Sequence, residues 1–136
     1  MAKTLDQIDK PVIAAINGAA TGAGLDMALM CDMRFCSDQA RLASTYIKVG
    51  LVPGDGGGFF LPRLVGLSKA LEMLWTGDWV SPQEAERIGL VNRTIPHDNL
   101  LEVVYAFAKK LADGPTIAQR LIKRTVYESL SIDLRT

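Results

Sequence analysis

The chain has 136 residues, carries 15 Lys and Arg against 15 Asp and Glu, and is 49% hydrophobic. That balance describes one globular domain or part of one, and it argues against a disordered chain and against a nucleic-acid-binding surface, for no basic patch stands out. Cys31 and Cys36 lie in or beside apolar stretches without an accompanying histidine, which fits reduced, buried thiols of a cytoplasmic protein and offers no metal site.

Residues 4–9 read as a polar lead-in. The apolar run Val12-Ile13-Ala14-Ala15-Ile16 is too short for a helix and is bounded by Pro11 and by Asn17-Gly18, so a buried strand is expected. A segment of Gly, Ala and Thr follows. Gly18, Gly22 and Gly24 leave its backbone open to close approach. From about Ala23 the pattern turns helical, and Leu25, Met27, Ala28, Leu29, Met30 and Cys31 make a short helix apolar nearly all round, hence buried. Its free N–H groups fall at the end of the glycine segment, a setting that suits an oxyanion or phosphate. Asp26 is the single acid of the first turn. It serves either as a complement to the helix dipole or as an isolated reactive carboxylate beside a bare backbone cleft. The glycine spacing is neither a dinucleotide fingerprint nor a Walker A loop. Asn17, Thr21, Asp26 and the glycine breaks argue against a membrane span over residues 11–31, and Asp6 and Asp9 between Lys3 and Lys10 make a poor signal peptide.

Met33-Arg34-Phe35-Cys36-Ser37 alternates apolar and polar residues as a half-buried strand does, and Ala40-Arg41-Leu42-Ala43 gives a second short strand after a Ser-Asp-Gln turn. A second glycine-rich loop, with Gly50, Gly54, Gly56, Gly57 and Gly58, leads into a helix beginning near Phe59. Asp55 sits inside it. Either it is a turn or cap residue, or the two glycine loops converge on one pocket with a carboxylate apiece.

The remainder reads as structure. Ser68 is expected to cap a helix that ends at Gly77, and Ser81-Pro82-Gln83-Glu84 forms a capping box whose Glu reaches back, with Gly89 closing that helix. Residues 90–95 are extended. Leu100, Val104, Phe107 and Leu111 recur at helical spacing, and a final helix puts Ala118, Leu121, Ile122, Thr125 and Val126 on a core-facing stripe. His97 falls in a polar surface turn; Trp75 and Trp79 are expected to pack, and Lys69, Lys123 and Arg124 to be solvated helix charges.

Three segments together, KPVIAAINGAATGAGLDMALMCDMRFCSDQARLA, VGLVPGDGGGFFLPRLVG and TGDWVSPQEAERIGLVNRTIP, resemble the enoyl-CoA hydratase/isomerase (crotonase) superfamily over nearly the whole chain. The resemblance implies an α/β fold, the ClpP/crotonase spiral of short strands and helices, with residues 1–136 forming a single partial domain incomplete at both termini. It implies an acyl-CoA thioester as substrate, coenzyme A entering only as part of that substrate, and no other cofactor. It also implies a homo-oligomer, a trimer or dimer of trimers, with no nucleic-acid or membrane partner.

By the same resemblance, the Ala23 N–H is one oxyanion donor, Asp26 and Asp55 are the acid/base groups, and Gly22, Gly24, Tyr46, Gly54 and Gly56 line the substrate. The second oxyanion donor would come from a strand and loop that precede this segment. Two positions depart from the hydratase pattern, in which two glutamates hold and activate water. The first is the shorter Asp26 and the second is Tyr46, so an isomerase-like use of the site is favoured over hydration. The alternative is a non-catalytic, truncated or split family polypeptide acting as a binding or structural subunit.

Overall fold

The computed structural model describes Leu5 and residues 7–133. The lead-in at residues 4–9 and the chain end at 134–136 therefore lie partly or wholly outside the described residues. Among the described residues five short strands form two parallel sheets. Strands β1 (Ile13–Ile16), β3 (Met33–Ser37) and β5 (Arg93–Ile95) make the first in the order β1-β3-β5, with Ile13 opposite Met33 and Phe35 opposite Arg93. The second pairs β2 (Ala19–Thr21) with β4 (Arg41–Ala43). Parallel neighbours need crossovers. Helix α1 (Ala23–Leu29) lies within both of them, between β1 and β3 and between β2 and β4.

Side chains alternate between the two faces of the first sheet. Ile16 and Cys36 join a core with Leu25, Leu29, Leu42, Leu61, Met73 and Leu90, whereas Ile13, Ala15 and Phe35 meet Ile95, Leu100 and Val104 on the other face. A strand buried on both sides reads as a continuous apolar run, which is why β1 is nearly free of polar residues. Each fully buried leucine of the larger core contributes about 2 kcal/mol. The same double burial corrects the half-buried reading of β3, in which Arg34, Phe35, Cys36 and Ser37 are all buried.

Arg34 is 4% exposed and spends its guanidinium on carbonyl oxygens. Nε donates to Leu90 (2.9 Å), and Nη1 donates to Cys31 (2.6 Å) and Ala28 (3.3 Å) at the end of α1. Burial lowers its pKa from the ordinary value. A cation at a helix C-terminus complements the dipole, so Arg34 fastens α1 to the sheet by charge as well as geometry.

Helices α2 (Gly57–Val65) and α3 (Leu67–Thr76) meet at Gly66, whose φ of 84° makes the corner. The corner starts α3 at Leu67, so Gly66, not Ser68, is its N-cap. Gly77 closes it as expected, with φ 63°. In α4 (Pro82–Arg87) Ser81 accepts from the Glu84 N–H at 3.2 Å, but the Glu84 carboxylate turns to Arg87 at 2.7 Å and does not reach back. Helix α5 (Leu100–Ala112) covers the second face of the sheet, with the Phe107 ring centroid 5.3 Å from that of Phe35.

The last helix, α6 (Thr116–Ser129), overturns its expected role, for none of its residues is buried. Leu121, Ile122 and Val126 are 55%, 62% and 53% exposed. Polar contacts hold it. Lys123 Nζ donates to Asp32 Oδ2 and Tyr127 Oη to Asp32 Oδ1, both at 2.8 Å, and Lys123 also reaches the Lys10 carbonyl. Lys123 is thus a paired, largely covered cation, not a solvated one. Lys69 pairs with Glu72 at 3.1 Å. Trp75 and Trp79 are 69% and 44% exposed, and the Arg41 guanidinium lies over Trp79, 4.6 Å from its ring centroid. Among the described residues no helix is long and apolar enough to cross a membrane.

Candidate active site

Gly22 turns the chain from β2 into α1. Its φ of 50° with ψ of −122° is open to glycine and strained for other residues. Its N–H donates to the Ala43 carbonyl at 3.2 Å, and its carbonyl accepts the Asp26 N–H at 3.0 Å, the first bond of the helix. The N–H groups of Ala23 and Gly24 stand before that bond and, among the described residues, have no acceptor; both residues are exposed. One helical turn on, Asp26 points inward and is 1% exposed. That burial separates it from a surface acid that merely complements a dipole.

The second loop closes on the same carboxylate. A 3-10 turn at Thr45–Val49, ended by Gly50 in the left-handed region, aims Tyr46 so that its hydroxyl donates to Asp26 Oδ2 at 3.1 Å. Gly56, with φ 104°, delivers Gly57 against the other oxygen; a Cβ at Gly57 would collide with Asp26 Oδ1 and lie 3.0 Å from Pro53 Cβ. Asp55 precedes this turn and is exposed, as is Gly54. The two glycine loops therefore do converge, on Asp26.

Burial raises the Asp26 pKa, and the neighbouring Asp55 charge adds to it; the Tyr46 hydroxyl and the backbone of Gly57 and Asp55 oppose the rise. Tyr46 is pushed up to about 12 by burial and by the Asp26 charge. The phenol is accordingly a fixed donor at neutral pH, and the carboxylates are the groups able to accept a proton. Together with the uncommitted amides of Ala23 and Gly24, they offer what stabilising a carbonyl oxyanion and moving a proton require.

Some features had no short-range signal. The Tyr46 bond spans 20 positions, and nothing local announces it. His97 lies in its surface turn, yet its Nδ1 is 2.8 Å from the Oγ of the buried Ser37. Ser37 is sealed from any substrate, which makes the pair a structural one. Two cavities lie away from these residues. One of about 440 Å³ is bounded by Lys10, Ile13, Leu111 and Gln119, and one of about 330 Å³ is lined in part by Met30, Phe59, Phe60 and Tyr127. Among the described residues no group of three or more His, Cys, Asp or Glu side chains is arranged to hold a metal ion.

An α/β spiral of short parallel strands, with a buried acid between two glycine turns, defines a protein of the crotonase fold class. Its backbone superimposes on the crystal structure of an enoyl-CoA hydratase from Bacillus anthracis with a TM-score of 0.96, at 39% identity, covering 98% of this chain and 52% of that one. The chain belongs to the enoyl-CoA hydratase/isomerase family, whose model matches residues 1–136. It is 41% identical over 130 residues to a mitochondrial enoyl-CoA hydratase of Pongo abelii, covering 96% of this chain and 45% of that protein. It is 37% identical over 132 residues to a crotonyl-CoA hydratase of Syntrophomonas wolfei, covering 97% and 51%. The chain spans about half the length of these relatives.

Proposed function

We propose that this chain binds an enoyl-CoA thioester and supports migration of its double bond, with the Ala23 N–H as an oxyanion donor and Asp55 and Asp26 as proton carriers. Removing a proton from the carbon beside the thioester carbonyl sends an electron pair into the conjugated system and builds negative charge on the carbonyl oxygen. An uncommitted N–H aimed at that oxygen stabilises it, by about 3 kcal/mol in a dry site. The proton held on the carboxyl group then returns to the far end of the conjugated system, the double bond shifts, and no atom is gained or lost. Asp55, the exposed carboxylate, is the group suited to meet the substrate carbon; the nearby Asp26 relays the proton.

One observation carries this reading: the buried Asp26 carboxylate is bonded to a phenol, where water addition would call for a second base to activate the water. Hydration is the other reading, favoured by the names of the relatives. Gly22, Gly24, Gly54 and Gly56 give the thioester close access to the main chain. Phe59 and Phe60, in the helix that follows Gly56, suit an apolar acyl tail. A homo-oligomer in the cytoplasm, with coenzyme A present only within the substrate, completes the proposal.

The test is titration of the purified chain with an acyl-CoA, followed by assays of both isomerisation and hydration beside Asp26→Asn and Asp55→Asn. The expected result is isomerisation exceeding hydration, lowered about 10²- to 10⁴-fold by Asp55→Asn. Hydration as the main activity overturns the isomerase reading. No binding of any acyl-CoA leaves a non-catalytic family member.

A further inference from the structure

Tyr46 bonds to one half of the site and borders the open side of the other. Its hydroxyl donates to Asp26 Oδ2, and its ring lies beside Gly22, with Cζ and Cε1 3.8 and 3.9 Å from where a Gly22 Cβ would stand. Gly22 is the turn that presents the Ala23 amide, and Asp26 sits one helical turn beyond. Tyr46 itself is held in a 3-10 turn whose backbone is pinned by the Leu51 N–H at 3.0 Å on the Tyr46 carbonyl and by the left-handed Gly50.

We infer that Tyr46 is the positioning residue of this site: one side chain sets the turn that offers the oxyanion donor and fixes the carboxylate behind it, so that donor and acid move as a unit. The inference rests on the catalytic reading above only for its consequence, not for its geometry.

The chemistry of the phenol decides what this unit does. A carboxylate at position 46 would face Asp26 with like charge and force one of the two to hold a proton. A phenol instead donates, and donation to a carboxylate favours the ionised form. Asp26 is otherwise driven toward its neutral form by burial and by the Asp55 charge, and the Tyr46 hydroxyl opposes that drive together with the backbone of Gly57 and Asp55. With one oxygen taken by Tyr46 and the other against Gly57, Asp26 cannot rotate to meet a substrate. That leaves Asp55 as the group at the reacting carbon, with Asp26 as the fixed carboxylate behind it that relays the proton.

The groups facing Asp26 are Tyr46, Asp55 and the backbone of Gly57. Two substitutions separate the two contacts. Tyr46→Phe keeps the ring against Gly22 and removes the donor; Tyr46→Leu removes both. The readouts are a carbon-13 NMR titration of the Asp26 carboxyl and the amide shift of Ala23, measured on the chain without substrate. In Tyr46→Phe the Asp26 midpoint should rise while the Ala23 amide stays in place. In Tyr46→Leu both should move. With an enoyl-CoA, Tyr46→Phe should lower kcat about tenfold with KM nearly unchanged, and shift the acid limb of the pH profile upward. An Asp26 midpoint identical in parent and Tyr46→Phe overturns the inference, whether or not acyl-CoA binds. Failure of the parent chain to bind acyl-CoA, with the midpoint still shifted, overturns the catalytic reading and leaves the positioning role of Tyr46 supported.

Discussion

Gly57 and Asp26 meet with no room for one more carbon: the site of a Gly57 Cβ is already taken by the Asp26 carboxylate, with Pro53 Cβ closing the other side at 3.0 Å. Gly57→Ala must displace the buried acid or the loop carrying Pro53, and overpacking of this kind costs about 1–3 kcal/mol. At Gly58 nothing stands within 4 Å of the same position, and an alanine there should be neutral or stabilise α2 by up to about 1 kcal/mol. The urea midpoint should fall in Gly57→Ala and hold or rise in Gly58→Ala.

Asp26→Asn tests whether the carboxylate is kept at a cost. Its folded pKa is raised above the ordinary 3.8, so the folded chain holds this proton more tightly than the unfolded chain does. The stabilising contribution is complete below the unfolded value and is lost as pH rises through the folded one. At neutral pH the ionised Asp26 therefore opposes folding. Relative to the parent, Asp26→Asn should be at least as stable near neutrality, and the difference should shrink toward acid. Urea unfolding followed from about pH 3 to about pH 8 checks it. The same variant should lose proton transfer, the exchange of stability for activity seen at many reactive groups.

Arg34 bonds to carbonyl groups from two segments, Cys31 and Ala28 at the end of α1 and Leu90 after α4. Arg34→Met leaves these acceptors buried without their donor and should destabilise the chain by about 3 kcal/mol or more. Arg34→Lys should recover only part of that, because a single ammonium cannot reproduce the forked geometry. Denaturant titration with far-ultraviolet circular dichroism measures both.

Helix α6 is fastened chiefly through Asp32, which accepts from Lys123, Tyr127 and the Val12 N–H at 2.7–2.8 Å. Because no residue of α6 is buried, this cluster should govern its opening. Asp32→Asn should speed hydrogen exchange across Thr116–Ser129 by about tenfold or more while β1 and β3 exchange as before. Peptide-resolved exchange by mass spectrometry distinguishes this from global loosening.

The parts of the fold that were legible in the sequence are those written in local periodicity. The apolar run of β1, the Ser81-Pro82 start of α4, Gly77 and Gly89 after their helices, and the Leu100-Val104 stripe all follow from neighbours a few residues apart. What escaped depends on distant partners. Arg34 looked like the polar half of an alternating strand because its Leu90 acceptor lies 56 positions away. The stripe on α6 has the spacing of a core face, yet nothing in spacing alone says whether a partner surface lies opposite. The glycine loops announced close backbone approach, but that both would close on Asp26 through Tyr46 and Gly57 is a fact of the third dimension.

The passage of α1 through both crossovers has a kinetic corollary. The same seven-residue helix lies within the connection from β1 to β3 and within that from β2 to β4, so the pairing of both sheets is tied to its placement. Docking α1 should thus be a shared, late commitment and not the business of one hairpin or one layer. Substitutions along it should slow refolding of both sheets by the same factor, so the segment that bears the reactive acid also times the assembly of everything around it.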